Sequence, residues 1–459
     1  MELNSIIKGQ KKYFRKKIIF SKIKDRIQKI KDILNWIKVH EKDIIDTILK
    51  DYKKPVAEIY ATEINPVLNH INFTLKNIKK WTSSTSVWSP INLIGSKSKL
   101  YYEPKGVCLI ISPWNYPFNL TLNPIISAIS AGNCMVVKPS EFTPNTSSLI
   151  RDLIGSIFHP DEISVLEGNH ELGAQLITLS FDHIFFTGSP DIGKIVMDAA
   201  AKNLTSVTLE LGGKNHAIVD ETANLKDAAE KILWSKYVNA GQTCIAVNHV
   251  FVHESCYESF VSYSKNVLSD FFLNSSDYGE IVNKKHFNRL EKILHECLGH
   301  SGTCLVQSSN LFKNTNHFPL TIIRDVSMQN PILGKEIFGP ILPIIIYKDF
   351  DSVLDYINCH DKSLALYLFT KSNKNTNNFL QITSSGTVAV NECMLQYANP
   401  YLPFGGVNAS GIGKTGGKSG FLEFSNQKSV LFQKSGFSVA KFIYPPYTSM
   451  KEKLAKLLG

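Results

Sequence analysis

Residues 106–138 read GVCLIISPWNYPFNLTLNPIISAISAGNCMVVK, and the succession of textures within them decides the fold. Gly106–Ile111 is an apolar run of strand length. Ser112-Pro113-Trp114-Asn115-Tyr116-Pro117 is rich in turn formers. Leu120–Ala131 has a helical pattern that stops at Gly132, and Cys134–Val137 is a second short strand. The alternation continues. Asp182–Phe186 predicts a strand entering Thr187-Gly188, residues 192–202 a helix, and Val207, Leu209 and Leu211 a half-buried strand of period two. Short strands alternating with helices predict an α/β fold with a parallel sheet.

Upstream, residues 11–50 read as helical, with Ile19, Ile23, Ile27, Ile30, Leu34 and Ile37 at steps of three and four between lysines. Pro55 and Pro66 interrupt, and a further helical stretch runs to about Trp81. Residues 82–99 are Ser-rich with a Pro and a Gly, and read as a linker or arm.

With 459 residues the chain has room for about three structural units at roughly 150 residues each. Its 43% hydrophobic and 20% charged content exclude a disordered, collagen-like or disulfide-scaffold protein. The net charge is +10, of which residues 1–54 carry +9, from 16 Lys/Arg against 7 Asp/Glu. Such a balance suits nucleic acid or an anionic membrane surface. No RNP-like motif, zinc finger or interleaved aromatics accompany it, which argues against nucleic acid. Eight irregularly spaced cysteines with no CxxC pair point to a reducing, cytoplasmic setting. Residues 1–10 lack the apolar core of a signal peptide. The longest apolar runs, Val107–Ser112 and Ile341–Tyr347, fall short of the ~20 residues that span a bilayer. An integral membrane anchor is therefore not expected.

Several residues carry chemistry-bearing patterns. Cys244 lies in Asn239-Ala240-Gly241-Gln242-Thr243-Cys244, between a helical stretch at 225–237 and the apolar run Val250–Val252. Such a loop suits either an exposed thiol activated by a positive environment or a small core residue. Glu210 sits in Thr208-Leu209-Glu210-Leu211-Gly212-Gly213-Lys214, on the strand face opposite Leu209 and Leu211. It is either a solvated strand carboxylate or a catalytic one at the carboxyl end of a strand. Gly188-Ser189-Pro190-Asp191-Ile192-Gly193-Lys194 follows a strand and opens a helix, as anion sites do. It nearly matches a P-loop, but Ile195 replaces the magnesium-binding hydroxyl. Lys138-Pro139-Ser140-Glu141 at a strand end suits either ribose binding or a surface turn. His295-Glu296 with His300 fails as a zinc motif, because a five-residue step puts the imidazoles on different helix faces. No metal site is expected.

These pieces occur together and in order: PWNYPFNL at 113–120, KPSE at 138–141, FFTGSPDIGK at 185–194, TLELGGK at 208–214, GQTC at 241–244, EIFGP at 336–340 and LPFGGVNASGIG at 402–413. On that order the chain resembles the NAD(P)-dependent aldehyde dehydrogenase superfamily, within it the class 3 branch for fatty and aromatic aldehydes. The KDYKKP start at 50–55 is also similar to that branch. The resemblance implies a Rossmann-type cofactor domain, an α/β catalytic domain and a small bridging, oligomerising arm. The implied division is residues 1–208 for the N-terminal helices and cofactor domain, interrupted by the arm at 82–99. Residues 209–395 are implied to be catalytic, and residues 396–459 to return to the cofactor domain and bridge to a second copy in a homodimer.

By the same resemblance Cys244 is the nucleophile. The Asn115 side-chain amide and the Cys244 N–H form the oxyanion hole, and Glu210 activates the water that hydrolyses a Cys244 thioester. Lys138 and Glu141 are implied to contact the adenosine ribose of NAD or NADP. Gly188, Ser189, Gly193, Leu211 and Gly212 lie along the cofactor, and Glu336 and Phe338 position its nicotinamide half. Glu141 would repel a 2′-phosphate, which favours NAD. Phe73, Tyr116 and Phe404 are expected to wall the substrate pocket, with core packing the alternative for Phe73. Pro190 stands where relatives commonly carry Thr or a small residue, and Thr415-Gly416-Gly417-Lys418 replaces a common Tyr-His-Gly-Lys. The rival readings are a coenzyme A-acylating aldehyde dehydrogenase, which generally lacks the glutamate that Glu210 supplies, and a cysteine thiol hydrolase, for which no histidine motif is present.

Overall fold

The computed structural model describes residues 3–271, 277–307 and 316–458. Its centre is a six-stranded sheet in the order Gly411–Ile412, Ser206–Leu211, His183–Gly188, Val107–Ile111, Cys134–Lys138, Ile163–Val165. All neighbours are parallel except the two-residue strand at 411–412, which runs antiparallel to Ser206–Leu211. Chain order runs outward from Val107–Ile111 in one direction, then restarts beside it with His183–Gly188. Between those two strands the winding reverses, so the loops after Ile111 and Gly188 diverge and leave a crevice at the strands' carboxyl ends.

Both faces of this sheet are covered, which explains why its strands read as unbroken apolar runs. On Val107–Ile111, Cys108 and Ile110 face one core, with Ile30, Ile71 and Phe118. Val107 and Leu109 face the other, with Ile7, Val196 and Leu209. The N-terminal helices serve both faces: Ile23–Val39 and Asn65–Trp81 contribute to the first core and Leu3–Lys16 to the second.

A second, seven-stranded sheet has the order Thr303–Gln307, Thr321–Arg324, Ile341–Tyr347, His249–His253, His216–Val219, Ala365–Phe369, Thr387–Val390. It is parallel apart from its first pair. Leu342 and Ile344 pack on one side of it and Ile341 and Ile345 on the other. A three-stranded antiparallel arm joins Thr85–Val87, Ser96–Pro104 and Ser425–Gln433.

Three details differ from the sequence reading. The expected helical stretch 11–50 is broken twice, by a 3-10 turn at Ile18–Phe20 and again at His40, because Ile18 turns into the core while Ile19 and Phe20 turn outward. Pro66 does not interrupt its helix. The chain passes through a π turn at Tyr60–Ile64 and Pro66 sits in the first turn of Asn65–Trp81, where a missing N–H costs least. The Thr62 carbonyl near this irregularity accepts from Asn119 Nδ2 at 2.9 Å. Finally, a division between 208 and 209 crosses a strand, since Ser206–Leu211 pairs with His183–Gly188 along its full length.

Candidate active site

The two sheets enclose a cavity of about 1280 Å³ at the crevice. Asn115, Glu210 and Cys244, from three separate elements, all line it, as do Tyr116, Phe404, Gly188, Ser189, Leu211, Gly212, Glu336 and Phe338.

Cys244 is delivered by a strained turn. After the helix Leu225–Tyr237 the chain takes three consecutive positive φ angles, +54° at Asn239, +53° at Ala240 and +73° at Gly241. Glycine is required at 241, because a Cβ there would stand 2.8 Å from the Lys236 carbonyl oxygen. Two buried amides hold the turn. Gln242 donates to the carbonyls of Asn239 and Glu280, both at 3.0 Å, and accepts from the Val282 N–H at 3.0 Å. Asn215 donates to the carbonyls of Cys244 at 2.7 Å and Ala246 at 3.0 Å. Non-glycine residues in this region cost about 1–3 kcal/mol each, and such hydrogen bonds over-determine them.

Asn115 follows the central strand. Its Nδ2 donates to the Gln242 carbonyl at 3.0 Å, leaving the second amide hydrogen for the cavity. Its own carbonyl accepts from Asn239 Nδ2 at 2.9 Å and from the Tyr52 hydroxyl. Behind Tyr52 stands a fully buried ion pair, Lys54 Nζ to Glu63 Oε1 at 2.9 Å. Lys54 also donates to the Tyr52 hydroxyl at 3.3 Å, and Glu63 accepts from the Asn119 N–H at 3.0 Å. Removing one partner of such a pair costs about 3–5 kcal/mol. Tyr52, Lys54 and Glu63 thus brace the site. The sequence carried only a weak signal for them, the KDYKKP run.

Glu210 is the last residue but one of the strand Ser206–Leu211 and is 6% exposed, so it is not a solvated strand carboxylate. Neither carboxylate oxygen has a hydrogen-bond partner among the described residues. Burial raises its pKa well above the usual carboxylate range; Lys414 opposes the rise and Glu423 adds to it. Lys414 was not anticipated. Its Nζ is caged by the carbonyls of Gly405 at 2.5 Å, Gly406 at 3.2 Å and Gly386 at 3.4 Å. Gly405 touches Glu210 as well: a Cβ there would lie 3.0 Å from Glu210 Oε1.

Of the two readings of the Cys244 loop, the positive environment of an activated thiol is not found among the described residues. Burial above all, with Glu210 and Glu336 adding to it, pushes the thiol up to about 12 against the N–H groups of Cys244 and Ile245. Two carboxylates and a desolvated pocket therefore keep this thiol protonated at neutral pH until a base takes the proton.

The remaining expected residues separate into those at the cavity and those behind it. Ser189 caps the helix Pro190–Ala201, and Pro190 takes the first helical position, where its missing N–H is harmless. Glu336 accepts from the Gly213 N–H at 3.1 Å, and burial raises its carboxyl to about 7. Any side chain at Gly212 would strike the Glu336 carboxylate. Phe338, at φ +47°, stacks edge-on against Trp114 at 5.3 Å. Gly193 lies behind the wall, packed on Leu211. Lys138 and Glu141 form an ion pair of 2.6 Å at the end of the next strand, outside the cavity lining. Phe73 is not among the residues that line the cavity. It is half-buried, packed against the core of the N-terminal helices, with its ring against Trp81 at 5.7 Å and the exposed Tyr401 at 4.9 Å.

A dinucleotide fits this arrangement. A helix N-terminus with its Ser189 hydroxyl faces the cavity for a diphosphate, the Glu336 carboxylate is available to hydroxyl groups, and the backbone at Gly212 is bare.

If Glu210 is held protonated by burial, Glu210→Gln will stabilise the fold. The difference from the native chain should grow as pH rises above about 4.3, where the unfolded carboxyl ionises and the folded one does not, and should vanish at lower pH. Urea unfolding at several pH values measures it.

The aldehyde dehydrogenase family pattern matches residues 2–430. The chain is 40% identical, over 95% of its length and 96% of the relative's, to 4,4'-diaponeurosporen-aldehyde dehydrogenase of Staphylococcus aureus. It is 39% identical to a probable coniferyl aldehyde dehydrogenase of Pseudomonas aeruginosa, with 94% and 90% covered. It is 37% identical to aldehyde dehydrogenase family 3 member A2 of Mus musculus, with 94% and 89% covered. Among solved structures, the substrate-bound state of Staphylococcus aureus AldH superposes over 100% of both chains, with a TM-score of 0.95 and 38% identity. The chain therefore belongs to the aldehyde dehydrogenase family, as an enzyme that oxidises aldehydes to acids with NAD or NADP.

Proposed function

We propose that the chain oxidises apolar aldehydes, medium- or long-chain aliphatic or aromatic, to carboxylic acids through a thioester on Cys244. The observation that carries this reading is the convergence of Asn115, Glu210 and Cys244 on one cavity, with Glu210 unpartnered.

Glu210 in its ionised form, which Lys414 favours, takes the thiol proton, and the Cys244 sulfur bonds to the aldehyde carbon. The carbonyl oxygen becomes an alkoxide held by Asn115 Nδ2 and the Cys244 N–H, donors fixed before the substrate arrives. NAD(P), when bound, supplies the hydride acceptor that the oxidation requires. Glu336, with Phe338 beside it, would hold the nicotinamide half of the cofactor. Gly188, Ser189, Leu211 and Gly212 would flank its diphosphate, with Gly193 behind them, and Lys138 and Glu141 would take the adenosine ribose. Glu210 gives the thiol proton up to solvent, and the resulting thioester is then attacked by water, whose proton goes to the freed Glu210 carboxylate and passes on to the leaving sulfur. The carbon–sulfur bond then breaks, the acid leaves and Cys244 is regenerated.

Tyr116 and Phe404, with Met394, Leu395 and Tyr397, give the cavity apolar walls. Two relatives named for 4,4'-diaponeurosporen-aldehyde and coniferyl aldehyde support an apolar substrate. The Glu141 carboxylate favours NAD over NADP by repelling a 2′-phosphate. The strand Ser425–Gln433 is an edge of its sheet and exposes Leu431 and Phe432, which supports a homodimer built on the arm. Free thiols at all eight cysteines support a cytoplasmic setting.

Cys244→Ala should abolish cofactor reduction, and Asn115→Ala should lower kcat/KM by about 10²–10³. Rates over an aldehyde chain-length series, with NAD and with NADP, test the substrate class; a preference for short polar aldehydes would overturn it. Lys414 favours ionised Glu210, so Lys414→Met should move the acid limb of the pH–rate profile up by about one pH unit, and Lys414→Arg should restore it.

A further inference from the structure

Most of the excess charge lies outside the site just described. Between residues 8 and 24 there are eight Lys/Arg, and no Asp or Glu occurs from Leu3 to Lys24. None of the eight has an ion-pair partner among the described residues. Lys8, Lys11, Lys12, Arg15 and Lys16 line one shallow groove on the first helix, Leu3–Lys16. Asp25, the first carboxylate beyond them, caps the next helix by accepting from the Lys22 N–H at 2.9 Å. Asp161 and Glu162, from the neighbouring loop, lie against Gly9 and Lys29 and not at the turn.

The turn between the first two helices is built in an unusual way. Ile18 is 4% exposed and anchors it in the core, while Ile19, Phe20 and Ile23 are 54%, 76% and 37% exposed. A core-anchored turn has no folding reason to present two aliphatic side chains and a ring to water. Surrounded by lysines, these residues form an apolar tip with a basic collar.

We propose that this tip and collar dock on an anionic lipid bilayer surface. Lipid headgroups present diffuse negative charge above an apolar layer, and the patch offers both complements in the same order. Seven of the eight cations are Lys, point charges suited to a fluid anionic surface; paired recognition of fixed phosphates or bases favours Arg. Two of the three exposed apolar residues are isoleucines, which cannot stack on bases, so nucleic acid is the poorer complement. Attachment is reversible, because neither the charge nor three side chains alone holds a protein of this size firmly. The proposal stands on the patch and is independent of which aldehyde the cavity takes.

Full-length protein is sedimented with vesicles of phosphatidylcholine alone and with vesicles carrying about 30 mol% phosphatidylserine. Binding should be about ten-fold greater with the anionic vesicles and should be lost as salt rises from about 0.05 to about 0.5 M. Lys12→Glu with Lys16→Glu should remove it by reversing charge. Phe20→Ser should weaken it without changing net charge. Aldehyde oxidation in solution should be unchanged in both variants, which also reports that they fold. Equal binding to neutral and anionic vesicles, or none to either, would overturn the proposal. So would salt-dependent binding to an oligonucleotide that exceeds binding to the anionic vesicles and is indifferent to Phe20→Ser.

Discussion

A carboxylate held out of water with no hydrogen-bond partner is the constraint on which the rest of this structure turns. Glu210 occupies the last turn-facing position of a buried parallel strand, where leaving it ionised is costly and leaving it neutral makes it a poor base. The surrounding chain resolves this with one cation. Lys414 is pinned by three glycine carbonyls, so its charge is fixed near Glu210 without forming a direct ion pair that would block the carboxylate. The same desolvation acts on Cys244, whose thiol is kept neutral by burial and by two carboxylates. A raised carboxyl is a stronger base towards the raised thiol beside it than an ordinary carboxylate would be, whereas a thiolate formed in advance would be exposed to side reactions.

The second requirement is rigidity, and it comes from a part of the chain remote in sequence. The buried Lys54–Glu63 pair holds Tyr52, which holds the backbone of Asn115, which holds the turn before Cys244 through Gln242. Each link is polar and buried, so each is strong only while its neighbours remain in place. The N-terminal helices therefore have two faces with different tasks: an inner one that packs the cofactor sheet and braces the oxyanion donor, and an outer one that carries the positive charge.

Much of this was legible in the sequence. Apolar runs of strand length announced the parallel sheet because both of its faces are covered, and period-two alternation placed Glu210 opposite Leu209 and Leu211. What was not legible depended on partners distant in the chain. No local pattern separates a buried lysine such as Lys54 from a solvated one, and nothing near Lys414 marks it as facing Glu210. Phe73 looked like a pocket wall because an aromatic ring on a helix suits either a wall or a core, and only Trp81 and Tyr401 decide which. The surroundings of Cys244 stayed open for the same reason: the loop sequence shows its glycine and its polarity, but not the two carboxylates brought in from other strands and loops.

The measurement that tests the central claim most directly is intact-mass analysis of Glu210→Gln, quenched soon after mixing with an aldehyde and NAD. The account predicts no acyl group on Cys244 and no burst of reduced cofactor, because with Glu210 gone no base takes the thiol proton. An acyl group on Cys244, or turnover at the native rate, would contradict it.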